Sequence, residues 1–415
     1  QPAAEENYTR HVDPKIGTGG HGHVFVGANV PFGMVQVGPT SIPQTWDWCS
    51  GYHASDSTVI GFSHTHLSGT GIGDLFDITV MPVVGEVTYA RGEENDPASG
   101  LWSYADRTRE ITKPGYYSVP LVRYGITAEL TATERVGLHR YTFPASDAAA
   151  VVFDLENGGC WDKATDTGFR FSDDSTRIAG WRCSTGWAKN QEVYFVAEFS
   201  KPAKGISYLQ PGEIDDSKMP RIAARYARVD FDTAEGEQGL VKVALSPVSI
   251  EGAKANLAAE LSGWDFDATA AAADKAWNDE LSKVKIETED ETSKRIFYTA
   301  LYHTMVAPSL FCDVNGDYRG ADGKVHENPG HDTYTTFSLW DTYRAAMPLM
   351  TVLHPERMPD IIQTMLHIAD EQGRLPVWHL WGNETDCMVG NPGIPVVADA
   401  IVKGIGGFDR EKAFE

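Results

Sequence analysis

The sequence lacks the features typical of membrane-spanning and nucleic-acid-binding proteins. It contains no uninterrupted apolar run of about 18 residues, which excludes a transmembrane helix. It carries 35 Lys and Arg against 58 Asp and Glu, a net charge of −23, and no basic tract. A nucleic-acid backbone or an anionic membrane surface would therefore be repelled. Aromatic residues are abundant, with 11 Trp, 16 Tyr and 17 Phe, so a disordered chain is also excluded.

Cysteine is scarce and widely spaced. Its five positions are Cys49, Cys160, Cys183, Cys312 and Cys387, and they form no CxxC pair and no Cys/His pattern of the zinc type. An odd number of cysteines in a large protein predicts free, buried thiols rather than a disulfide framework.

Short runs of β-branched and aromatic residues dominate the first part of the chain. Gly, Pro, Asp and Ser clusters separate these runs, and no amphipathic helix lies between them. The length of 415 residues exceeds one compact domain. We therefore predict a first domain over residues 1–251 that folds as an antiparallel β-sandwich. Its predicted strands include Tyr116–Ala132, Ala148–Asp154, Glu192–Phe199 and Leu240–Leu245.

The hydrophobic period becomes helical after Pro247. Residues 252–285 are rich in Ala, Lys and Glu and predict a helical linker. Residues 286–415 predict a mainly helical second domain, so the fold class is multi-domain, β followed by α. The predicted helices are Gly252–Leu261, Asp267–Val284, Thr292–Val306, Ser338–Leu353, Met358–Gln372 and Pro395–Gly404.

Two of these helices carry more specific predictions. The apolar spacing within Thr292–Val306 places Ile296, Ala300 and Leu301 on one buried face. The helix Met358–Gln372 has a proline in its first turn and a glycine just past its end, the asymmetry typical of helix boundaries.

Glycine, histidine and tryptophan cluster in the first domain. The glycine-rich segment 16–23 lacks the Lys and the following helix of a phosphate-binding loop. Trp46 and Trp48 lie on a predicted loop, where an indole face offers a platform for a sugar ring; the alternative is that they are core residues. His64 and His66 alternate on an extended segment, so both could ligate a metal from one side. The alternative is a hydrogen-bonded pair that stabilises a domain interface.

The segment Asp313–Gly320 begins like a calcium-binding loop. Its glycine stands at the fourth loop position instead of the sixth, and Lys324 occupies the place of the bidentate Glu. This pattern favours a turn rich in Asp and Asn over a calcium site.

Two segments of the second domain, 338–344 and 377–388, combine indoles with Asp, Arg, Asn and Glu. Such groups grip sugar hydroxyls beside a stacked ring, and glycosidase chemistry needs a carboxyl pair. Asp341, Glu384 and Asp386 are the candidate carboxylates. The alternative for each is a helix cap.

Asp341 precedes Arg344 by three residues. If one helix runs through both, they share a face, and the guanidinium would keep the carboxylate ionised. An ionised carboxylate accepts two hydrogen bonds from adjacent sugar hydroxyls.

A series of ordered motifs resembles glycoside hydrolase family 92, the calcium-dependent exo-acting α-mannosidases. The resemblance extends over essentially all 415 residues. It rests on VDPKIGTGG, NVPFGMVQVGPTS, GFSHTHLSGTG, DLFDITVMPV, ELTATERVGLHRYTF, YHTMVAPSLFCDVNGDYRG, TTFSLWDTYRAAMPLMTVLHPE and GNETDCMVGNPGIPVVADA.

The resemblance implies a β-sandwich packed on an (α/α)6 barrel, of which residues 286–415 form the first part, with the active site between them. It implies release of terminal α-linked mannose from N-glycans or mannans with inversion, assisted by Ca²⁺ that helps to distort the mannose ring. The general acid and base of the family lie in EGN-W and GNDD motifs, which are absent from this sequence. Both groups, and most calcium ligands, are therefore expected after Glu415.

The resemblance also implies substrate-binding positions in this sequence. Asp341 of the LWDTYR motif is the expected ligand of mannose hydroxyls. The other expected positions are Trp340, Arg344, Trp46, His66, Asn383, Glu384 and Asp386.

Three hypotheses follow for the activity. The first is an α-mannosidase acting on mannose-containing glycans, secreted or periplasmic. The residues from Gln1 onward fit a mature terminus after removal of an export signal, or an artificial boundary. The second is a non-catalytic carbohydrate-binding protein, and the third is a family member that hydrolyses mannose–phosphate linkages.

Overall fold

Two antiparallel sheets form the first part of the molecule in this computed structural model, which describes residues 6–158, 161–210 and 221–415. The predicted mature terminus at residues 1–5 and Cys160 lie outside the described residues. In spatial order, the six-stranded sheet contains Gly38–Thr40, Gly61–Ser63, Thr79–Val84, Ser146–Asp154, Tyr226–Thr233 and Gly205–Leu209.

The second sheet has nine strands and packs face to face on the first. Rings of Phe153 and Phe195, one from each sheet, stack at 5.9 Å between centroids and mark the core between the layers. In spatial order, this sheet contains Arg221–Ile222, Lys163–Arg170, Arg177–Thr185, Gln191–Phe199, Glu237–Ser246, Val136–Phe143, Ile126–Ala132, Tyr116–Leu121 and Ile111–Lys113.

The predicted β-sandwich is confirmed. The predicted run Tyr116–Ala132 is a hairpin of two strands, because Gly125 adopts a positive φ of 62° in the turn between them. Burial alternates along the strand Arg177–Thr185, as expected for a strand with one face on the core.

Eight α-helices follow among the described residues, and the predicted order of a sandwich, a helical linker and a helical part is confirmed. Ser249, Asp265 and Asp290 cap the first three helices by accepting hydrogen bonds from backbone N–H groups. The helices are α1 Ile250–Glu260, α2 Phe266–Leu281, α3 Glu291–His303, α4 Leu339–Thr342, α5 Ala346–Leu353, α6 Met358–Gln372, α7 Gly393–Val402 and α8 Arg410–Phe414.

The first helices pack against the sandwich and extend its hydrophobic core. Helix α1 packs Ala253 and Leu257 on the outer face of the nine-stranded sheet. The buried indole of Trp277 in α2 donates a 2.7 Å hydrogen bond to the carbonyl of Asn29 and contacts the ring of Tyr302 in α3. Because these contacts are buried, the linker helices are packed firmly against the first part.

The face predicted for α3 is only partly buried: Leu301 is buried, but the other two predicted residues are not. Ile296 is 54% exposed and Ala300 is also exposed, whereas Tyr298, Thr299 and Tyr302 are buried. The physical reason is the N-terminal segment, which packs on the other side of the helix. Thr299 accepts a hydrogen bond from the amide of residue 13, and Tyr298 contacts the ring of Tyr8.

Helix α6 has the predicted bounds, Met358–Gln372. Gly373 follows it with a φ of 86°, the left-handed conformation that ends many helices. The helix predicted over Ser338–Leu353 is instead two helices, because residues 343–345 form a turn between α4 and α5.

Short strands connect the helices of the second part. Phe337–Ser338, Trp378–Leu380 and Asn383–Glu384 form a three-stranded sheet. Tyr318–Arg319 pairs with Val325–His326. None of the described helices combines the length and the apolar character that a bilayer span requires.

The cysteine prediction is partly corrected. Cys49 and Cys312 are buried as predicted, but Cys183 and Cys387 are only partly buried. The sulfur of Cys49 lies 3.4 Å from the carbonyl oxygen of Thr70.

Candidate functional site

Trp46 opens a short 3-10 turn on a loop of the sandwich, and its side chain is 48% exposed. Its ring nitrogen donates a 2.7 Å hydrogen bond to the carbonyl oxygen of Gly71, which fixes the orientation of the indole. Trp48 is half-buried, stacks on His53 at 4.3 Å and donates to Asp56. Of the two indoles, only Trp46 has the exposure that a binding platform needs.

Two histidines that the site prediction omitted stand beside Trp46. His21 Nδ1 and His23 Nε2 each lie 2.8 Å from the same carboxylate oxygen of Asp47. The ring of His23 meets Trp46 edge to face at 4.3 Å. Hydrogen bonds from His21 and His23 lower the pKa of Asp47. The alternating spacing of the GHGH segment was the sequence signal for this cluster.

His64 and His66 are buried and bonded inside the sandwich. His64 Nδ1 is 2.6 Å from the carbonyl oxygen of Ile78, and its Nε2 is 2.9 Å from His139. His66 Nδ1 is 2.7 Å from the carbonyl oxygen of Gln36. Burial lowers the pKa of His64 to about 4 and that of His66 to about 3, so both are neutral at pH 7.

This arrangement favours the hydrogen-bonded alternative over the metal pair. His66 lies between the rings of Phe25 and Phe76, each about 5 Å away. Its substrate-binding role stays a prediction, and its burial offers nothing in support.

A buried ionic network lies behind these histidines. Arg182 donates to Asp77 and to Asp162, both at 2.7 Å, and all three side chains are fully buried. Asp77 also accepts hydrogen bonds from Thr65 and Gln191. Sequence reasoning missed this network, because its members are far apart in the chain and no local pattern joins them. It anchors the segment that carries His64 and His66.

Contacts between loops connect Trp46 to the second part of the molecule. The loop that accepts the Trp46 hydrogen bond continues to Asp74, whose carboxylate accepts a 2.8 Å bond from the amide of Ala188. Two residues later, Asn190 and Asn383 exchange hydrogen bonds, each 3.0 Å long. The predicted ligand Asn383 is therefore tied to the sandwich by its own amide group.

The rings of Trp187 and Trp378 strengthen the same junction. Their centroids are 4.5 Å apart, one ring from the sandwich and one from the three-stranded sheet of the helical part. Such aromatic pairs contribute about 0.5–1.5 kcal/mol beyond the area that they bury. The site prediction omitted Trp187.

Glu384 has a role that differs from both alternatives considered above. It lies in a short strand and caps no helix. Its carboxylate accepts hydrogen bonds from the amides of Val377 at 2.9 Å, Trp378 at 2.8 Å and Asp386 at 3.0 Å. A fourth bond, 3.2 Å long, comes from the side chain of Gln372. Glu384 thus holds the turn of residues 377–386 in place.

Asp386 is exposed and forms an ion pair with Arg374. Its backbone φ is 55°, which is uncommon for a residue with a side chain. Both carboxylates already have partners in the chain, which offers no support for a substrate-binding role. The roles predicted for Asp386 and Glu384 therefore stay predictions.

The ion pair predicted between Asp341 and Arg344 is wrong. Helix α4 ends at Thr342, so no continuous helix carries the two residues on one face. The guanidinium of Arg344 lies over the rings of Trp340, at 5.5 Å, and Tyr343, at 5.1 Å. Among the described residues, none forms an ion pair with Asp341.

Asp341 itself is exposed, and the helix-capping position is occupied by Ser338. Partial desolvation by the surrounding chain raises the pKa of Asp341. Its carboxylate is thus available to a ligand, unlike those of Glu384 and Asp386.

The Asp313–Gly320 segment is a turn, as predicted. The carboxylate of Asp313 is buried and accepts hydrogen bonds from Ser246 at 2.8 Å and Asn256 at 2.9 Å. Asp317 accepts a bond from the amide of Asn328. The carboxylates of Asp313 and Asp317 therefore accept hydrogen bonds from other groups of the protein.

Three clusters of described residues have the spacing to hold a metal ion. They are His21, His23 and Asp47; Glu280, His354 and Glu356; and Asp322, His326 and Glu371. Each contains a histidine, and an imidazole nitrogen is a poor ligand for Ca²⁺. The described residues therefore do not supply a three-carboxylate calcium site.

Comparison with solved structures places the whole chain beside known glycosidases. A family GH92 α-mannosidase from Bacteroides thetaiotaomicron, solved in complex with mannoimidazole, is 38% identical with a TM-score of 0.93, over 99% of this chain and 55% of that chain. A family GH92 inverting mannosidase from the same organism is 28% identical with a TM-score of 0.85, over 99% and 55%.

Sequence comparison agrees with the structural one. An uncharacterized secreted glycosidase from Arthroderma benhamiae is 25% identical over 99% of this chain and 52% of its own length. The chain thus spans about half the length of the relatives that it matches. Residues 11–246 match the Glycosyl hydrolase family 92 N-terminal domain, and residues 252–415 match the Glycosyl hydrolase family 92 catalytic domain. Since these matches cover nearly all of the described residues, the chain belongs to glycosyl hydrolase family 92.

Proposed function

We propose that the protein releases terminal α-linked mannose from glycans by hydrolysis with inversion. The observation that carries this proposal is the exposed indole of Trp46, which is hydrogen-bonded to Gly71 on the loop that leads to Asp74. An apolar ring face beside polar side chains is the surface that sugars bind. The likeness to α-mannosidases over 99% of the chain supports the choice of mannose.

In this proposal Trp46 stacks on the sugar ring, and Asp341 accepts hydrogen bonds from sugar hydroxyls. Trp340 and Arg344 stack against each other beside Asp341 and shape that side of the site. Asn383 and Glu384 hold the opposite turn rather than the sugar, since their polar atoms bind neighbouring backbone groups.

A discontinuous assay of the purified protein, in a form that carries the EGN-W and GNDD motifs expected to hold the general acid and base, tests the activity. We expect hydrolysis of α-mannobiose, with β-mannose as the first product in a proton NMR time course, because inversion converts the α-linkage to the β-anomer. Initial formation of α-mannose would exclude inversion. Binding of mannose by Trp46 with no hydrolysis would support the alternative of a non-catalytic carbohydrate-binding protein.

Mannose linked through phosphate is a further alternative substrate, since a good leaving group lessens the need for a general acid. Faster turnover of mannose 1-phosphate esters than of α-mannobiose would favour it. Secretion, or export to the periplasm, is proposed because the Arthroderma benhamiae relative is named as secreted.

We also propose that activity requires Ca²⁺. The acidic surplus, a net charge of −23, and the family membership support this proposal. Because each described cluster contains a histidine, no catalytic step is assigned to the ion here. Assays in excess EGTA should abolish turnover, and added CaCl₂ should restore it. Full activity in EGTA would refute the requirement.

A further inference from the structure

Three ligand-type side chains meet where a hairpin of the second part packs on helix α6. Asp322 lies in the turn between Tyr318–Arg319 and Val325–His326, and Glu371 lies near the end of α6. His326 Nε2 is 3.0 Å from both carboxylate oxygens of Asp322 and 3.9 Å from Oε2 of Glu371. The three side chains are far from Trp46 in sequence and have no part in the proposed sugar site.

The three ligand atoms surround one small space, and a glycine keeps it open. A Cβ atom at Gly320 would lie 2.3 Å from Oε2 of Glu371, 2.6 Å from Nε2 of His326 and 2.7 Å from Oδ1 of Asp322. Metal–ligand distances for zinc are about 2.0–2.2 Å for these atom types. The three ligand atoms lie within 4.8 Å of one another, so small movements of the side chains would bring all three to bonding distance of one ion.

The charges at this position also favour a cation. The side chain of Glu371 is only 6% exposed, and among the described residues its one partner within ion-pair distance is His326. Burial raises the pKa of Glu371 to about 7. A divalent ion would neutralise the two carboxylates and remove the cost of burying the charge.

Neighbouring groups orient the ligands. The ring of Tyr318 stacks on His326 at 5.2 Å with an interplanar angle of 15°. The amide of Ala321 donates a 3.2 Å hydrogen bond to Oε2 of Glu371. Support of this kind fixes ring orientation and carboxylate position in metal sites.

We propose that Asp322, His326 and Glu371 bind a divalent transition-metal ion of the zinc class, which ties the hairpin to helix α6. One imidazole and two carboxylates suit Zn²⁺ or Mn²⁺ better than Ca²⁺ or Mg²⁺. Three protein ligands leave a coordination position for water.

The other two clusters suit a metal less well. His21 and His23 both bond to the same oxygen of Asp47, which satisfies the three groups without an ion. In the third cluster the ammonium group of Lys283 lies 2.7 Å from Glu280, so a cation already occupies that position.

Titration of the protein, freed of any affinity tag, with ZnCl₂ in a calorimeter tests the proposal. We expect one equivalent to bind and the thermal midpoint to rise with zinc. His326→Ala should weaken binding by more than about tenfold, the loss that even an outer-sphere partner causes. Gly320→Ala keeps all three ligands but fills the space between them, and should have the same effect. The matched control, His21→Ala, should leave zinc binding unchanged.

The outcomes separate the proposal from its alternatives. Zinc binding that survives His326→Ala and Gly320→Ala, or that His21→Ala abolishes, would overturn the assignment. Absence of binding by the unmodified protein would also overturn it, as would tighter binding of CaCl₂ than of ZnCl₂. Glu371→Gln keeps the shape of the side chain, so its loss of binding with an unchanged zinc-free thermal midpoint would support a ligand role.

A pH series adds an independent readout. Metal ligands bind in their deprotonated forms, so zinc competes with protons at the site. Affinity should therefore increase between pH 6 and pH 8, and proton release should accompany binding. Affinity that falls over this range would contradict the proposal. None of these measurements depends on hydrolysis of mannosides, so they stand apart from the proposed function.

Discussion

The sandwich and the helical part differ in their most buried charges and in their most exposed apolar side chains. The sandwich hides ions, since Arg182, Asp77 and Asp162 are fully buried together. The helical part leaves large apolar side chains at its surface, with Val402 85% and Phe414 92% exposed.

A buried ion pair is stable only when hydrogen bonds compensate for the lost hydration of both charges. Arg182 meets this condition through Asp77, Asp162 and the carbonyl oxygen of Leu155. On the helical side, Asp341 is exposed and has no ion-pair partner among the described residues. We therefore expect changes on the sandwich side to reduce stability, and changes at Asp341 to reduce activity.

The largest effect is expected at Arg182. Arg182→Met leaves two carboxylates buried without a cation, and should lower the free energy of unfolding by about 3–5 kcal/mol. Urea denaturation followed by fluorescence measures this loss. The control is Arg170→Met, which removes an exposed pair with Glu251 and should cost less than about 1 kcal/mol. Equal losses in the two variants would remove the distinction between buried and surface charge.

A smaller loss of stability is expected at Glu384, on the helical side. Glu384→Gln removes the charge that accepts three backbone hydrogen bonds, and should cost about 1.5–3 kcal/mol. The same denaturation experiment measures it. Asp386→Asn, which removes only an exposed pair with Arg374, serves as the control and should change stability little. A neutral Glu384→Gln would mean that the turn does not depend on the carboxylate.

Asp341→Asn should affect activity without affecting stability. Loss of one charge-assisted hydrogen bond to a sugar hydroxyl should lower kcat/KM by about tenfold, with an unchanged thermal midpoint. The control is Asp409→Asn, because Asp409 caps helix α8 and Asn caps equally well. Unchanged kcat/KM in Asp341→Asn would end the ligand assignment.

The smallest effect is expected in the pH dependence of stability. Burial lowers the pKa of His303, at the end of α3, to about 4. The unfolded chain therefore takes up a proton below about pH 6.5 that the folded chain does not. Between pH 6.5 and 5.5 this linkage should cost the protein about 1 kcal/mol, and His303→Leu should remove the loss.

Asp154 of the sandwich provides the opposite sign. Burial raises its pKa to about 6, so its contribution to stability is present at low pH and is lost as the pH rises through 6. Asp154→Asn should therefore make the protein gain less stability on acidification than the unmodified protein does. If the stability of His303→Leu and of Asp154→Asn varies with pH in the same way as that of the unmodified protein, neither group governs the pH dependence.

Local signals predicted the regular elements well. Helix α6 and its glycine cap follow from the proline at the start, the glycine at the end and the apolar spacing between them. The buried face of α3 was predicted only in part, because the partner of that helix is the N-terminal segment near Tyr8, almost 300 residues away in the chain. Periodicity shows that a helix is amphipathic, but it does not show which surface arrives to cover it.

The site was predicted only in part for the same reason. The loop position of Trp46 was predicted, since an indole between turn residues is a local pattern. His21, His23 and Trp187 were missed as site residues, although the first two lie in a visible GHGH segment.

The sequence by itself determined the order of the elements, the sandwich before the helices, because strand and helix periods are local properties of the chain. It also determined the family, through motifs distributed over both parts. Only the tertiary structure decided which carboxylates are available. The carboxylate of Glu384 accepts hydrogen bonds from backbone amides, and that of Asp386 forms an ion pair with Arg374. The carboxylate of Asp341 is exposed. All three side chains carry the same carboxylate group, and the partners that the folded chain brings to each one set its role.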